Sequence, residues 1–294
     1  MRALWNWLRW GQGALKDDEE HVFPLNRPSS ATDIDRSDNS QLLIIGISAK
    51  VYLLDGKTIR KLPRSDNDIQ AIQREAMIYD TIGPHIRIAE CISMGNNEFC
   101  QHVDIKYYPH GDLAAYIQQN SITPELQSKW FHQILEAVVT IHSFDVIHSD
   151  LALRQFFIDE NLDLRLGDFN FAQCPGHPAL GYEKASHCLP RDYDLPNTES
   201  SDIFAMGSTL YELVTGNIPY GELNMLESND PDVVKAHLDR QHEVIDFEIE
   251  RRYKNHEYPD VSKLPHGYLI LDCWRGDITT AKEALEIYLY NMKS

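Results

Sequence analysis

A short apolar hairpin pattern with an aspartate near each end occupies the middle of the chain, in VIHSDLALRQFFIDENLDLRLGDFNFA at residues 146–172. Three apolar residues at 156–158 predict one strand, and residues 159–161 are typical of a turn. Leucines at 162, 164 and 166 alternate with Asp, Arg and Gly, which predicts a second, half-buried strand. If the turn centres on residues 161–162, antiparallel pairing places Gln155 opposite Asp168.

This hairpin brings groups suited to metal and phosphate chemistry to one edge. Asp150 stands just before the first strand, and Gln155 and Asp168 lie at the open ends of the two strands. Two carboxylates and an amide oxygen suit a hard divalent cation such as Mg²⁺, which prefers oxygen ligands and keeps water and phosphate in its shell. The residues alone support a metal–phosphate site and an ordinary polar hairpin end about equally.

The composition argues against a nucleic-acid partner and for a reduced setting. The formal net charge is −18 over 294 residues, whereas a protein that binds a nucleic-acid backbone is expected to show a basic excess or stripe. The five cysteines are odd in number and form no CxxC pair, so neither a disulfide framework nor a zinc site is expected. We therefore expect an intracellular protein, cytoplasmic or nuclear.

The first 40 residues differ in character from the rest. MRALWNWLRW is too short to span a bilayer and lacks the long apolar run and cleavage site of a signal peptide. Residues 16–40 are polar and aperiodic, as in a linker. We expect residues 1–40 to form a poorly ordered tail, with membrane contact open only to its tryptophan-rich start.

From residue 41 the chain divides into a strand-rich part and a helical part. Between 41 and 108, β-rich runs are punctuated by turns at Asp55-Gly56 and at 95–97, and apolar spacing predicts one helix at 67–82. Beyond 108 helices dominate. Thr123-Pro124-Glu125 predicts a helix start, a buried helix follows residues 200–201 and ends at Gly216, and further helices are predicted at 233–250 and 279–291.

The hairpin segment resembles the catalytic and metal-binding loops of the eukaryotic-type protein kinases, H-R-D-x-x-x-x-N followed by D-F-G. His148-Ser149-Asp150 stands at H-R-D, Gln155 at the asparagine, and Asp168-Phe169-Asn170 at D-F-G. The resemblance covers residues 41–294, and in style the chain is similar to small stand-alone kinase-like proteins of filamentous fungi.

The resemblance implies an α+β, two-lobed fold. A small β-rich N-lobe with one main helix, together with the hinge, is expected at 41–108, and a larger, mostly helical C-lobe at 109–294. It also implies ATP and Mg²⁺ as cofactors, and a protein substrate or partner protein. The oligomeric state is left open.

Nucleotide-binding elements of the same family have counterparts upstream. IIGISAKV resembles the loop that covers the phosphates; aligned on Val51, Gly46 is the one glycine that survives of three. Lys61 matches the lysine that contacts the α- and β-phosphates, and Glu75 matches the helical acid that pairs with it. IKYYPHGDL resembles the hinge that binds adenine through its backbone, with Ile105 as the gatekeeper-like residue and three hinge candidates: Lys106, Tyr107 and Tyr108.

By resemblance, Asp150 orients the substrate hydroxyl and accepts its proton, while Asp168 and Gln155 hold Mg²⁺. Arg154 neutralises the transferring phosphate. Its position, four residues after Asp150, is similar to D-L-A-A-R-N of tyrosine kinases, so the acceptor stays open, with serine or threonine as the default.

Departures from the family pattern bear on activity. Gln155 keeps the amide oxygen but adds one methylene, and because Mg²⁺ demands near-octahedral geometry we expect weakened catalysis. Asn170 is expected to be tolerated because Asn adopts unusual backbone angles readily. Ser149 replaces an arginine that reads a phosphorylated activation loop, so we expect activity independent of such phosphorylation; Asp150-dependent activity lost on phosphatase treatment would contradict this.

The C-lobe pattern is also incomplete. Asp202 matches the acid that braces the catalytic loop, and Arg275 matches the late arginine whose family partner is the Glu of A-P-E. Here Leu189-Pro190-Arg191 stands at A-P-E, which puts that ion pair in doubt.

Three functions follow from these residues. The first is an ATP- and Mg²⁺-dependent protein kinase, slow because of Gln155. The second is a pseudokinase that acts as a nucleotide-binding or scaffold module, and the third is a small-molecule phosphotransferase.

Overall fold

The structure is a computed structural model that describes residues 40–97, 100–224 and 244–292. The predicted tail therefore lies outside the described residues except for residue 40. The same holds for residues 233–243 of the helix predicted at 233–250; the end of that prediction falls on a helix at Asp246–Lys254.

Five antiparallel strands form the sheet of the N-lobe in the spatial order β1-β2-β3-β5-β4. Their bounds are β1 Gln41–Ile45, β2 Ala49–Leu53, β3 Thr58–Pro63, β4 Cys91–Asn97 and β5 Cys100–Lys106. One helix, α1 (Ile69–Ile82), packs on β3, β4 and β5. It buries a stripe that includes Ile72, Ile78 and Ile82, as the periodicity at 67–82 predicts.

The two predicted turns of this sheet have different outcomes. The Asp55-Gly56 turn is confirmed: the Asp55 carboxylate accepts hydrogen bonds from the backbone N–H groups of Lys57 and Thr58, and Gly56 has a left-handed φ of 79°. The turn expected at 95–97 is wrong, because Gly95 pairs with His102 and the strand continues to Asn97. Cross-strand pairing with β5 carries β4 through the Gly-Asn-Asn signal to Asn97.

The C-lobe is built from helices around the small hairpin. Its elements are α2 Leu113–Gln119, α3 Pro124–His142, β6 Phe156–Ile158, β7 Leu164–Leu166, α4 Glu199–Thr215, α5 Asp246–Lys254, α6 Gly267–Arg275 and α7 Ala281–Asn291. The Thr123 side chain caps α3 by accepting from the Leu126 N–H, as predicted. Helix α4 is buried along most of its length, and at Gly207 an added Cβ would lie 2.8 Å from Cys273 Cβ, so glycine allows α4 and α6 to approach closely.

The register of the β6–β7 hairpin differs by one residue from the prediction. Phe156 pairs with Leu166 and Ile158 with Leu164, and the Gly167 N–H donates to the Gln155 carbonyl. Gln155 therefore faces Gly167 rather than Asp168. The turn centres on Asn161, because the Asp159 carboxylate accepts from two turn N–H groups while Leu162 adopts a left-handed φ of 58°.

The two lobes meet at a cleft between the N-lobe sheet and the β6–β7 hairpin. A parallel bridge joins Ile88 to Leu166, and the Ala89 N–H donates to the Leu166 carbonyl at 2.8 Å. Over the part of the chain that the structure describes, no helix is both long enough and apolar enough to cross a bilayer.

Candidate active site

Three predicted site residues from distant parts of the chain form one charged cluster in the cleft. Lys61 lies on β3, Glu75 on α1, and Asp168 follows β7. The Lys61 ammonium lies 2.8 Å and 3.0 Å from the two Glu75 oxygens and 2.5 Å from Asp168 Oδ1. The side chains of Lys61 and Glu75 are buried, whereas that of Asp168 is 34% exposed and open to the cleft.

The Lys61 ammonium and the Asp168 carboxylate stabilise each other's charged form, whereas burial raises the pKa of Glu75 above its usual value despite the Lys61 ammonium beside it. Burial opposes ionisation of Lys61, but Asp168 and Glu75 outweigh it and hold the pKa of the ammonium above its usual range. Burial likewise opposes ionisation of Asp168, yet the Lys61 ammonium keeps the pKa of that carboxyl below its usual value. The cluster therefore presents a fixed cation beside a carboxylate, as phosphate and metal chemistry requires.

On the C-lobe side, Asp150 is held by the two residues predicted to act beside it. Arg154 Nη2 donates to Asp150 Oδ1, and Gln155 Nε2 donates to Asp150 Oδ2 at 2.7 Å and to the Asp150 carbonyl at 3.1 Å. All three lie on the segment that leads into β6, and Arg154 and Gln155 belong to a short 3₁₀ turn at Leu153–Gln155. Both oxygens of the predicted base thus accept hydrogen bonds from within the site.

These contacts orient the Gln155 amide. Because its nitrogen faces two acceptors of Asp150, the group at the other position is the oxygen. Gln155 is buried, and within the described residues this oxygen accepts no hydrogen bond. The Gln155 amide oxygen and the Asp168 carboxylate are both hard oxygen donors of the kind that Mg²⁺ prefers beside water and phosphate oxygens.

Asp202 on α4 holds the backbone of the catalytic segment. Its buried carboxylate accepts from the N–H groups of His148 (2.7 Å) and Ser149 (3.0 Å), and His142 Nε2 lies 3.1 Å away. Ser149 has a left-handed φ of 65°, which this carboxylate helps to maintain. Asp202 therefore takes the bracing position that the sequence predicts.

Aromatic stacking joins the catalytic segment to α1. The Phe169 ring is fully buried and lies 5.4 Å from the Tyr79 ring and 5.3 Å from the His148 ring. Asp168, beside it, adopts a left-handed φ of 62° that turns its carboxylate toward Lys61. The stack fixes α1, and with it Glu75, relative to Asp168.

The remaining predicted nucleotide residues line the apolar end of the cleft. Val51, Ile105, Lys106, Tyr107 and Tyr108 lie along its walls, and Phe157 stacks on the Tyr108 ring at 5.9 Å. The Lys106 N–H donates to the Glu90 carbonyl and the Tyr107 N–H to the Lys57 carbonyl. Within the described residues the Tyr108 N–H donates no hydrogen bond, which leaves it as the hinge donor available to a base edge.

The cleft is narrow. Its enclosed volume is about 70 Å³, whereas small-molecule sites typically hold about 300–1,000 Å³. Gly46, predicted to cover phosphates, lies in the β1–β2 turn with its N–H bonded to the Ala49 carbonyl at 2.7 Å.

A larger cavity of about 410 Å³ lies in the C-lobe, lined by residues that include Tyr211, Tyr220 and Tyr258. Its two arginines, Arg251 and Arg252, already pair with glutamates. Of the predicted catalytic residues, Lys61 lines the smaller cleft and none lines this cavity.

Comparison with known proteins identifies this arrangement. The family described as protein kinase domain matches residues 49–272, which is most of the chain. The chain belongs to the protein kinase domain family. The kinase-like two-lobed α+β fold expected from the sequence is confirmed, with a β-sheet N-lobe and a helical C-lobe.

Individual kinases are similar at low identity. "Serine/threonine-protein kinase SIK1" of Rattus norvegicus is 26% identical over 175 residues, 58% of this chain and 22% of its own length. "Mitogen-activated protein kinase 4" of Rattus norvegicus is 26% identical over 190 residues, 60% of this chain and 68% of its own length. "CBL-interacting serine/threonine-protein kinase 10" of Arabidopsis thaliana is 24% identical over 227 residues, which cover 69% of this chain and 45% of its own length.

The chain thus spans about a fifth of the length of the first of these relatives. The finer resemblance to fungal kinase-like proteins stays a prediction.

The chain departs from the family pattern in the ion pair of the segment after D-F-G. Arg191, at the place of the A-P-E glutamate, lies 3.2 Å from Glu183 Oε2 and donates to Asn197 Oδ1 at 2.7 Å. Arg275 is exposed and, over the described ranges, has no ion-pair partner. The doubt raised by Leu189-Pro190-Arg191 is therefore justified, and a buried local pair stands in place of the long-range one.

The sequence patterns do not predict two contacts of the cleft. Asn170 Nδ2 donates to Ser48 Oγ at 2.9 Å, and the Asn170 φ is not left-handed. The reason predicted for Asn170, tolerance of unusual backbone angles, is wrong: the side chain bridges the lobes. No local pattern marks Ser48 as its partner.

The second contact that the sequence patterns do not predict is made by Arg74. Its buried guanidinium donates to the carbonyls of Ala172 and, at 2.6 Å, Pro178, tying α1 to the segment after Asp168. Its place on the buried stripe of α1, beside Glu75, is the signal that could have revealed it.

Proposed function

We propose that the chain is a protein kinase that transfers the γ-phosphoryl group of ATP to a protein hydroxyl and requires Mg²⁺. The observation that carries this proposal is the convergence of two groups on one cleft: the Lys61–Glu75–Asp168 cluster and the Asp150–Arg154–Gln155 cluster. Phosphoryl transfer depends on positioning and charge neutralisation more than on covalent work by the protein. Both clusters supply those functions.

The residues divide the work between them. Lys61, held in place by Glu75, offers its ammonium to the nucleotide phosphates. Asp150 orients the substrate hydroxyl and takes its proton, and Arg154 offsets negative charge on the group that is transferred. Asp202 positions this segment through the two backbone N–H groups that it binds.

The Asp168 carboxylate and the Gln155 amide oxygen are the residues that would hold Mg²⁺. When bound, the cation neutralises charge on the phosphates. Gln155 has a second task, because its nitrogen holds Asp150. One amide therefore links the position of the base to the metal ligand.

Serine or threonine is the proposed acceptor. Two of the relatives above carry serine/threonine-protein kinase in their names, which supports this choice. An intracellular location is proposed as well. It is supported by Cys91, Cys174, Cys188 and Cys273, which are free thiols within the described residues.

A second function, a pseudokinase that acts as a scaffold, is favoured by two observations. The cleft encloses about 70 Å³, and both oxygens of Asp150 already accept hydrogen bonds. A scaffold would keep the fold without nucleotide turnover.

Nucleotide binding and phosphate incorporation separate the two functions. We expect Mg·ATP to raise the melting temperature, and phosphate to be incorporated into a generic protein substrate by the wild type but not by Asp150→Asn. Asp145→Asn is the matched control, because Asp145 is exposed, lies outside the cleft and has a left-handed φ of 56° that Asn accepts. Nucleotide binding with no incorporation above that of Asp150→Asn would favour the scaffold.

A further inference from the structure

One hydrogen bond joins the phosphate-covering loop to the metal-binding segment. Asn170 Nδ2 donates to Ser48 Oγ at 2.9 Å across 122 residues of sequence. Ser48 is 4% exposed and Asn170 8% exposed, so water does not compete for either group. Ser48 lies in the turn between β1 and β2, and Asn170 stands two residues after Asp168.

Both partners are fixed by other parts of the structure. The Ser48 carbonyl accepts from the Arg64 N–H at 3.0 Å, which ties the turn to the end of β3. Asn170 follows Phe169, whose ring is locked between Tyr79 and His148. The bond therefore connects two segments that are each held in place by other contacts. It can form only when the two lobes lie close together at this end of the cleft.

This bond lies where the phosphates of a nucleotide have to pass. In the proposed function, the phosphates lie between the β1–β2 turn and the residues that hold Mg²⁺, Asp168 and Gln155. A triphosphate with its cation cannot occupy that gap while two side chains from its opposite walls are 2.9 Å apart.

We propose that Ser48 and Asn170 form a clasp that closes the phosphate end of the cleft in the free protein and that must open before a nucleoside triphosphate binds. This inference rests on the proposed function, because it assumes that the cleft takes a nucleotide. A neutral buried hydrogen bond contributes about 0.5–1.5 kcal/mol net, so breaking it weakens triphosphate binding about two- to tenfold. A ligand without phosphates does not pay this cost.

Calorimetry on the full chain tests the clasp with Mg·ATP and adenosine as probes. We expect Ser48→Ala and Asn170→Ala each to lower the Kd for Mg·ATP about two- to tenfold, and the double variant to lower it no further than either single one. Alanine suits position 170 because its φ is not left-handed. The Kd for adenosine is expected to stay unchanged, as is the Kd for Mg·ATP in Asn161→Ala, an exposed asparagine outside the cleft.

Hydrogen exchange of residues 46–50 in the free protein gives a readout that needs no ligand. Both single variants are expected to exchange faster than wild type there. Unchanged exchange, or an equal gain in affinity for Mg·ATP and adenosine, overturns the clasp. If the wild type binds Mg·ATP and the variants match it, the clasp alone fails; if no form binds Mg·ATP, the proposed function fails and the clasp with it.

Discussion

Replacing Glu183 by glutamine is expected to remove a large part of the pH dependence of stability near neutrality. The Glu183 side chain is fully buried; Arg191 Nη2 lies 3.2 Å from its Oε2, and within the described residues its Oε1 has no hydrogen-bond partner. Burial raises the pKa of Glu183 to about 7 from a usual 4.5; Arg191 opposes the rise, and the Asp202 carboxylate adds to it. Cys188 also faces this carboxyl.

The direction of the pH dependence of stability follows from whether the folded or the unfolded chain binds the Glu183 proton more tightly. Glu183 holds its proton up to about pH 7 in the folded chain but only to about 4.5 in the unfolded chain. Its stabilisation is therefore complete below pH 4.5 and is lost as the pH rises through 7. At about 1.36 kcal/mol per pKa unit, the full effect is about 3.4 kcal/mol, of which about 2 kcal/mol falls between pH 5.5 and 8.0.

Urea unfolding followed by circular dichroism at pH 5.5 and 8.0 measures this difference. The free energy of unfolding of wild type is expected to fall by about 2 kcal/mol more than that of Glu183→Gln over this interval. Arg191 does not titrate in this range, so any strain in the variant shifts both values alike. Glu286→Gln, at an exposed glutamate, is the control and should follow wild type. Equal pH dependence in wild type and Glu183→Gln would refute the reasoning.

Three further substitutions test the cleft. Gln155→Asn withdraws the amide by about 1.5 Å, which frees Asp150 Oδ2 from its hydrogen bond. Phosphate incorporation should therefore rise about tenfold. An unchanged rate of incorporation in a radiolabel assay would contradict this. Asp202→Asn places an amide against backbone N–H donors and should lower the free energy of unfolding by about 3 kcal/mol; a melting temperature equal to wild type would count against it. Phe157→Leu should widen the cleft and lower the Kd for adenosine about fivefold, or ~1 kcal/mol, by calorimetry; weaker binding would show that the ring supports the base.

Short-range patterns account for most of the fold and for the composition of the site. Periodicity at 67–82 and the Thr123-Pro124 start locate α1 and α3 because helix faces and caps are encoded within a few residues. Lys61, Glu75 and Asp168 were identifiable from motif order alone, and the structure brings them within hydrogen-bond distance. Their catalytic and binding roles stay predictions that the substitutions above test.

Local sequence patterns did not predict where the turns of the two hairpins close. The β6–β7 register is one residue away from the predicted one, because the Asp159 side chain and the left-handed Leu162 decide where the turn closes. A one-residue slip moves each side chain of a strand to the other face, but residues 156–158 are apolar at every position, so their pattern does not select the register. The same limit applies to the end of β4, where pairing with β5 overrides a glycine-rich signal.

Only the tertiary structure decided how the substituted family positions are used. Arg191 stands where the family has a glutamate that pairs with the late arginine, here Arg275, and it pairs with nearby Glu183. Asn170 forms a hydrogen bond with Ser48 across the cleft. Such contacts depend on how sheet, hairpin and helices pack, which brings together residues that no periodicity relates. The sequence determined which side chains enter the cleft, and packing determined the distances between them. Since a hydrogen bond or ion pair weakens within a fraction of an ångström of misplacement, those distances set whether the site is open, closed or active.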